Sequence, residues 1–334
     1  MKVLKIIGKT IVGIISMVIT LVLIVFITLN VGKYLIYNEY FSMRTDLCAN
    51  PGLNDGFICQ GVAVIDDEDK VIVSGYMNDD SASRIYISDF DSNSYYVRLN
   101  KKNEIFTGHT GGVAVTGDTV YLASGSYVYT FSVDLLLNSK NGDVIEIGSG
   151  TKMAIKASCI YTDDNYLYIA EFHDGGKYNV TTHPFETKEG VHHAAMARYD
   201  INDLSKPNKL YSIRDRVQGA LVTPDGKVIF STSYGLTDTK YYVYNEQDAV
   251  LSTWPNGYDT SSIDLPQDVP VYLLEDCVRT VKGPAMGEDV DYYDGKVVTL
   301  SEVASNKYIV GKFFFANKVV ALDFNKGRQN AEKI

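Results

Sequence analysis

Four of the chain's five histidines fall in one segment, EFHDGGKYNVTTHPFETKEGVHH, residues 171–193. They are His173, His183, His192 and His193, and they are interspersed with the acids Glu171, Asp174, Glu186 and Glu189. Imidazole nitrogen and carboxylate oxygen together form a donor set for a divalent transition metal. The same groups work as general acid and base near neutral pH. Glu171, His173, His183, His192 and His193 are therefore the candidate metal ligands, and a divalent ion is the one cofactor the residues suggest. No H-E-x-x-H spacing occurs, so spacing alone does not select a ligand set. The competing expectation is a Gly-containing, solvated polar loop.

Other motifs carry less. Gly148-Ser149-Gly150-Thr151-Lys152 superficially suggests a phosphate loop, but the Walker spacing fails and no helical pattern follows. G-x-S-x-G is absent, which leaves a nucleophile elbow unsupported. No CxxC or Cys/His pair has zinc spacing. Asn179-Val180-Thr181 is a glycosylation sequon, relevant only in a eukaryotic secretory route. With no motif fixing a reaction, catalytic residues stay unassigned, and the sequence leans towards a binding protein rather than an enzyme.

The elements that would position these residues repeat along the chain. GVAVIDDEDKVIVSG begins at Gly61, GVAVTGDTVYLASG at Gly112, SCIYTDDNYLYIAEF at Ser158, GALVTPDGKVIFSTS at Gly219 and EDVDYYDGKVVTLSE at Glu288. Each copy is an apolar run, an Asp- or Gly-rich turn and a second apolar run, which is a β-hairpin signature. A third strand follows each hairpin (RIYISDF, YTFSVDL, MARYDI, YYVYNE, VVALDF), and a weaker fourth follows some (YYVRLN, DVIEIG, KLYSIR). Four antiparallel strands per repeat is the unit of a β-propeller blade. The expected fold is all-β: a five-bladed propeller, with a sixth blade as the alternative if one lies between Ser233 and Glu288. The last copy runs out of chain before a fourth strand, and the segment before Gly61 is available to supply it and close the ring. A two-sheet sandwich is the rival, but it does not call for five similar hairpins.

These repeats resemble those of the broad propeller assemblage that includes NHL-repeat, gluconolactonase-like and strictosidine-synthase-like proteins. The likeness covers about Cys59 to Phe324, and no Trp-Asp ending points to the WD40 type. In the lactonase-like members, Glu, Asn and Asp at the inner-strand starts hold a calcium ion. The comparable positions here are Gln60, His109, Ser158, Gln218 and Glu288, of which only Glu288 matches. In a propeller the inner-strand starts and the loops between second and third strands share one face. Gln60, His109-Thr110, Lys156, Ser158, Gln218 and Met286-Glu288-Asp289 should thus ring the channel mouth as ligand-binding residues, with the His-rich segment above them. For His109 and Glu288 the competing role is a hydrogen bond between neighbouring blades.

The N-terminus sets the compartment. No residue between Lys9 and Lys33 is charged, and Thr10–Gly32 read as a helix is long enough to cross a bilayer. Lys2, Lys5 and Lys9 lie on its N-terminal side, so the positive-inside rule leaves the N-terminus in the cytoplasm. A cleaved signal peptide is the alternative, but Ile27-Thr28-Leu29-Asn30 offers no small-x-small site. The expected organisation is 1–9 cytoplasmic, 10–32 membrane anchor, 33–44 stalk, 45–326 extracytoplasmic propeller and 327–334 polar tail. The net charge is −10, which disfavours nucleic acid and anionic lipid as partners of the exported domain. Cys48 and Cys59 flank a turn-like Asn50–Gly56 and are a candidate disulfide in an oxidising compartment. The resulting expectation is a membrane-anchored binding module for a protein, glycan or small molecule. A metal-dependent hydrolase or lactonase with its site at the channel mouth is the alternative.

Overall fold

The computed structural model describes residues 2–252, 268–308, 311–312 and 316–326; the polar tail at 327–334 lies outside them. The apolar N-terminal run forms one helix, α1 (Lys2–Ile36). Within it Ile6–Ile36 is long and apolar enough to cross a membrane, and none of it is buried by the rest of the chain. Three of its polar side chains close on the helix itself. Thr10 and Thr20 hydroxyls donate to the carbonyls of Ile6 and Ser16, and the Asn30 amide donates to that of Phe26. This suits a solvent that offers no partners.

The stretch expected as a stalk is ordered helix. Tyr37 interrupts the helix geometry, and α2 (Asn38–Met43) follows at once. It buries Tyr40 and Met43 against the propeller. Glu39 accepts from the Arg279 guanidinium at 2.7 Å. The chain then enters the propeller directly at Arg44.

Five blades surround one axis, and their inner strands are Phe57–Ile65, Gly112–Thr116, Cys159–Thr162, Val217–Val222 and Gly287–Tyr293. Each packs on the next around the ring. Blade 5 is completed by Arg44–Ala49, which pairs antiparallel with Lys318–Leu322. The first strand of the propeller therefore closes on its last, as the sequence suggested.

No sixth blade forms among the described residues. Arg279–Gly283 is the fourth strand of blade 4, while Val271–Leu273 and Val250–Ser252 extend blade 3 outward. A second departure concerns DVIEIG, expected as the fourth strand of blade 2. A short helix, α3 (Val133–Leu137), capped by Ser132 accepting the Leu135 N–H, redirects the chain. Asp143–Glu146 then runs parallel beside the outer strand of blade 1, and Thr151–Lys152 completes blade 2.

The recurrent Gly of the repeats is explained at the axis. A Cβ on Gly61 would lie 2.6 Å from the Val113 nitrogen, on Gly112 2.7 Å from the Ile160 nitrogen, and on Gly219 2.7 Å from the Val290 nitrogen. Five inner strands meet too tightly there for side chains at those positions. In blade 5 the same layer carries Asp289, whose Oδ2 accepts the Val113 N–H of blade 2 at 3.2 Å. Two residues on, Asp291 Oδ2 accepts the Val64 N–H of blade 1 at 2.8 Å. Blade 5 is thereby bonded across the axis to blades 1 and 2.

The disulfide between Cys48 and Cys59 is not formed; all four cysteines are free thiols. Cys48 packs in the core shared by blades 5 and 1. The Cys59 sulfur is occupied by the Asn50 amide at 3.1 Å and lies 3.5 Å from the Ser301 carbonyl. Burial pushes both thiols up, Cys48 to about 12, so both stay protonated.

Two outcomes are expected. Gly219→Ala forces a methyl onto the backbone of blade 5 and should destabilise the fold by about 1–3 kcal/mol, measured by thermal melting of the detergent-solubilised chain. The second concerns pH. Burial raises the Asp291 carboxyl from 3.8 to about 7, and Asp289, Glu288 and Glu302 move in the same direction. The folded state thus holds protons that the unfolded chain releases. That contribution is full below about pH 4 and is lost as pH rises towards 7. Asp291→Asn should make the fall of Tm between pH 4 and 8 shallower than in the wild type.

Candidate functional site

The His-rich segment joins the second strand of blade 3 (Tyr166–Ala170) to its third (Ala194–Asp200), and contains its own hairpin of Phe185–Thr187 with Gly190–His192. Its root is a buried pair. Glu171 Oε2 faces His183 Nε2 and also accepts the Ala195 N–H at 3.2 Å. Thr182 occupies the other ring nitrogen of His183 at 2.8 Å. Ser158 accepts the Phe172 N–H at 3.2 Å, so this predicted mouth residue holds the start of the loop. Asp174 closes a turn by accepting the N–H groups of Gly176 and Tyr178.

The far end is fixed by Glu189. It takes hydrogen bonds from the Arg214 guanidinium, the Tyr244 hydroxyl at 2.7 Å and the Cys277 N–H at 2.9 Å. His192 beside it is buried, and Nδ1 lies 3.3 Å from the Ser212 hydroxyl. Burial first, then the Arg214 charge, holds its pKa down near 4. His192 is neutral in the folded protein.

Three of the five expected metal ligands, Glu171, His183 and His192, are therefore used inside the loop's own scaffold. The remaining two converge. His173 and His193 stack with ring centroids 4.4 Å apart and nearly parallel planes. Asp215 faces both, with its two oxygens 3.1 Å from His193 Nδ1 and one 3.9 Å from His173 Nε2. These donor atoms lie close enough together to form a candidate ion site. The trio lines a cleft of about 690 Å³ that also presents Asp174, Asn179, Thr181 and Arg216.

Tautomers decide what this trio can do. His173 Nδ1 accepts the Val180 N–H at 2.9 Å. An acceptor nitrogen carries no proton, so the neutral ring carries its hydrogen on Nε2, the atom turned to Asp215. A metal at His173 Nε2 would require loss of that hydrogen. His193 is the reverse: Nδ1–H donates to Asp215, leaving Nε2 as a lone-pair acceptor. Asp215 thus accepts the His193 Nδ1–H, while His173 Nε2 is turned to it at 3.9 Å, beyond hydrogen-bond reach.

The predicted mouth residues are also brought together in part. Gln60, Gln218 and Glu288 each sit where the register of an inner strand slips; such a bulge re-aims the side chain. Gln60 donates to Glu302 at 2.9 Å, and Gln218 to Glu288 at 3.4 Å. Burial, then the charges of Glu302 and Asp289, holds Glu288 well above the usual carboxylate range. Burial lifts Glu302 to about 7 against the bonds from Tyr308 and Gln60 and the Lys307 charge. His109 stacks on Tyr76 at 4.0 Å, and desolvation with the charges of Lys307 and Lys177 lowers its pKa. Lys156 is exposed and Thr110 is buried, its carbonyl taken by Ser74.

The cleft residue that sequence reasoning missed is Asp215, with its neighbour Arg216. Both lie in the turn from the fourth strand of blade 3, Lys209–Ile213, to the inner strand of blade 4. The signal was present: that turn precedes Gln218 on the face already assigned to the site, and it reads Arg214-Asp215-Arg216.

Glu171→Ala removes the carboxylate that faces buried His183 and accepts the Ala195 N–H. Removing one member of a buried pair costs about 3–5 kcal/mol, which in a domain of this size lowers Tm by on the order of 10 °C. Hydrogen exchange should accelerate across 172–193 ahead of the five inner strands.

No family model matches the chain, and no curated protein matches it. Similar solved structures include the glutaminyl cyclase of Myxococcus xanthus, 8% identical over 77% of this chain and 91% of that one, with a TM-score of 0.42. The PQQ-bound aldose sugar dehydrogenase of Streptomyces coelicolor is 13% identical over 77% of this chain and 76% of that one, with a TM-score of 0.41. BamB of Moraxella catarrhalis is 8% identical over 80% and 85%, with a TM-score of 0.34. The chain is a five-bladed β-propeller with one N-terminal apolar helix.

Proposed function

We propose that the protein is a membrane-anchored, extracytoplasmic binding module that takes a small, hydroxyl-rich ligand of the glycan type into the cleft around Asp215. The observation that carries this reading is the fixed hydrogen-bond polarity of the trio. The Val180 N–H sets the His173 tautomer, the His193 Nδ1–H donates to Asp215, and His193 is left with an acceptor. Around it stand the Asn179 amide, the Thr181 hydroxyl, the Asp174 carboxylate and the Arg216 guanidinium, with only Val180 and Pro184 apolar. Convergent donors and acceptors from these side chains suit a polyhydroxylated ligand. The anchor is α1, with Lys2, Lys5 and Lys9 on the cytoplasmic side.

The alternative is a divalent-metal hydrolase with the ion held by His173, His193 and Asp215. The closeness of their donor atoms supports it, and the acceptor role of His173 Nδ1 opposes it.

The test uses the full-length chain in nanodiscs and a glycan array, followed by titration of the best binder. Asp215→Asn removes the carboxylate that orients His193 and should weaken binding at least about tenfold, roughly 1.4 kcal/mol. Zinc or manganese at about 100-fold over protein should leave Tm unchanged. A metal-dependent rise in Tm that Asp215→Asn abolishes would replace the glycan reading with the metal one.

A further inference from the structure

We infer that the channel-mouth rim of blade 4 rests on the bilayer, so that the ligand cleft opens at the level of the lipid headgroups. The inference rests on the reading of α1 as a retained anchor. It adds which face of the propeller looks at the membrane, and it names a phospholipid surface as the partner.

The geometry starts at Tyr37, the residue directly after α1. Its N–H donates to the Lys33 carbonyl at 2.8 Å, so the helix hydrogen-bonding continues through it. Its hydroxyl donates to Asp238 Oδ1 at 2.9 Å. Asp238 belongs to the loop between the second and third strands of blade 4, Lys227–Thr232 and Thr239–Asn245. That loop stands on the mouth face. Ser233 N–H donates to the Arg216 carbonyl at 3.1 Å, and Arg216 N–H to the His173 carbonyl at 2.9 Å. The end of the apolar helix therefore bonds the blade 4 loop at Asp238, and the same loop bonds the cleft at Ser233.

There is no slack in this linkage. Past Tyr37, Tyr40 packs so closely on Gly283 that a Cβ there would lie 3.1 Å from its ring. A helix that ends at the rim and is packed immediately afterwards holds the rim at the surface the helix crosses.

The two faces differ in a way that fits this orientation. The rim loop exposes Tyr234 and Leu236, at 46% and 53%. Lys240 and Lys282 lie beside it, exposed, and line the same groove as Arg216 together with the acids Glu189, Asp215 and Asp238, the last 3.7 Å from Lys282. An apolar tip flanked by Tyr and cationic side chains suits the headgroup region. The opposite face carries the hairpin turns Asp66-Asp67-Glu68-Asp69, Asp163-Asp164, Asp225 and Asp294. Lys296 pairs with Asp294 and Lys70 with Glu68, and the remaining carboxylates are repelled by anionic headgroups.

The test places an environment-sensitive fluorophore at a single cysteine of the full-length chain, in a Cys277→Ser background; the three other cysteines are buried. One variant is Leu236→Cys on the rim, and the other is Asp164→Cys on the opposite face. Both are reconstituted into vesicles of phosphatidylcholine and phosphatidylglycerol carrying a lipid-borne spin-label quencher. The expected result is a blue-shifted emission at 236, quenched at least about threefold more than at 164. Equal quenching in protein that floats with the vesicles overturns the inference and leaves the proposed binding function standing. Protein that does not float overturns the anchor and this inference together. Stronger quenching at 164 reverses the orientation and also overturns it.

Discussion

Crowding at the propeller axis is the constraint on which the rest depends. Five inner strands can surround one axis only if their backbones approach within van der Waals contact, and Gly61, Gly112 and Gly219 are the positions where a Cβ is excluded. The space they leave is used by blade 5, which breaks the pattern with Asp289 and Asp291. Each carboxylate accepts a backbone N–H from another blade. Axis packing and blade pairing are thus one interaction system. Its energetic cost is burial of carboxyl groups, which are held above their ordinary range.

Closure also joins the helix to the ring. The strand that completes blade 5, Arg44–Ala49, is the continuation of α1 and α2. The Arg279 guanidinium bonds Glu39 of α2 and the Phe324 carbonyl at the end of the last strand. The apolar helix is therefore not a tether on a finished domain, because the residues that leave it are a structural part of the last blade.

The site follows from the same architecture. Ring geometry delivers one set of loops to one face, and the loop of blade 3 spends Glu171, His183 and His192 on holding itself in place. Only then are His173 and His193 stacked over Asp215, which comes from the next connection. Polar residues in such a loop divide into those that build the scaffold and those that face the cleft. Burial and hydrogen-bond direction separate the two groups; residue type does not.

Much of the fold is legible in the amino-acid order. The Gly-apolar-turn-apolar copies mark five inner hairpins because alternation and turn chemistry are local properties. Strand closure by the segment before Gly61 follows from counting strands. The gap between Ser233 and Glu288 and the strand DVIEIG were not legible. Their pairing is decided by which neighbouring edge is open, and parallel addition to blades 1 and 3 leaves no mark in local pattern. Cys48 and Cys59 are close in sequence, but strand geometry places Cys59 against Asn50 and Ser301, and proximity along the chain carries no information about direction. At the site, the sequence alone determined that imidazoles and carboxylates gather on one face. The tertiary structure decided that Asp215 is their partner and which nitrogen of His173 bears its proton. A tautomer is set by a single backbone N–H, that of Val180, and the position of that N–H exists only once the loop has folded.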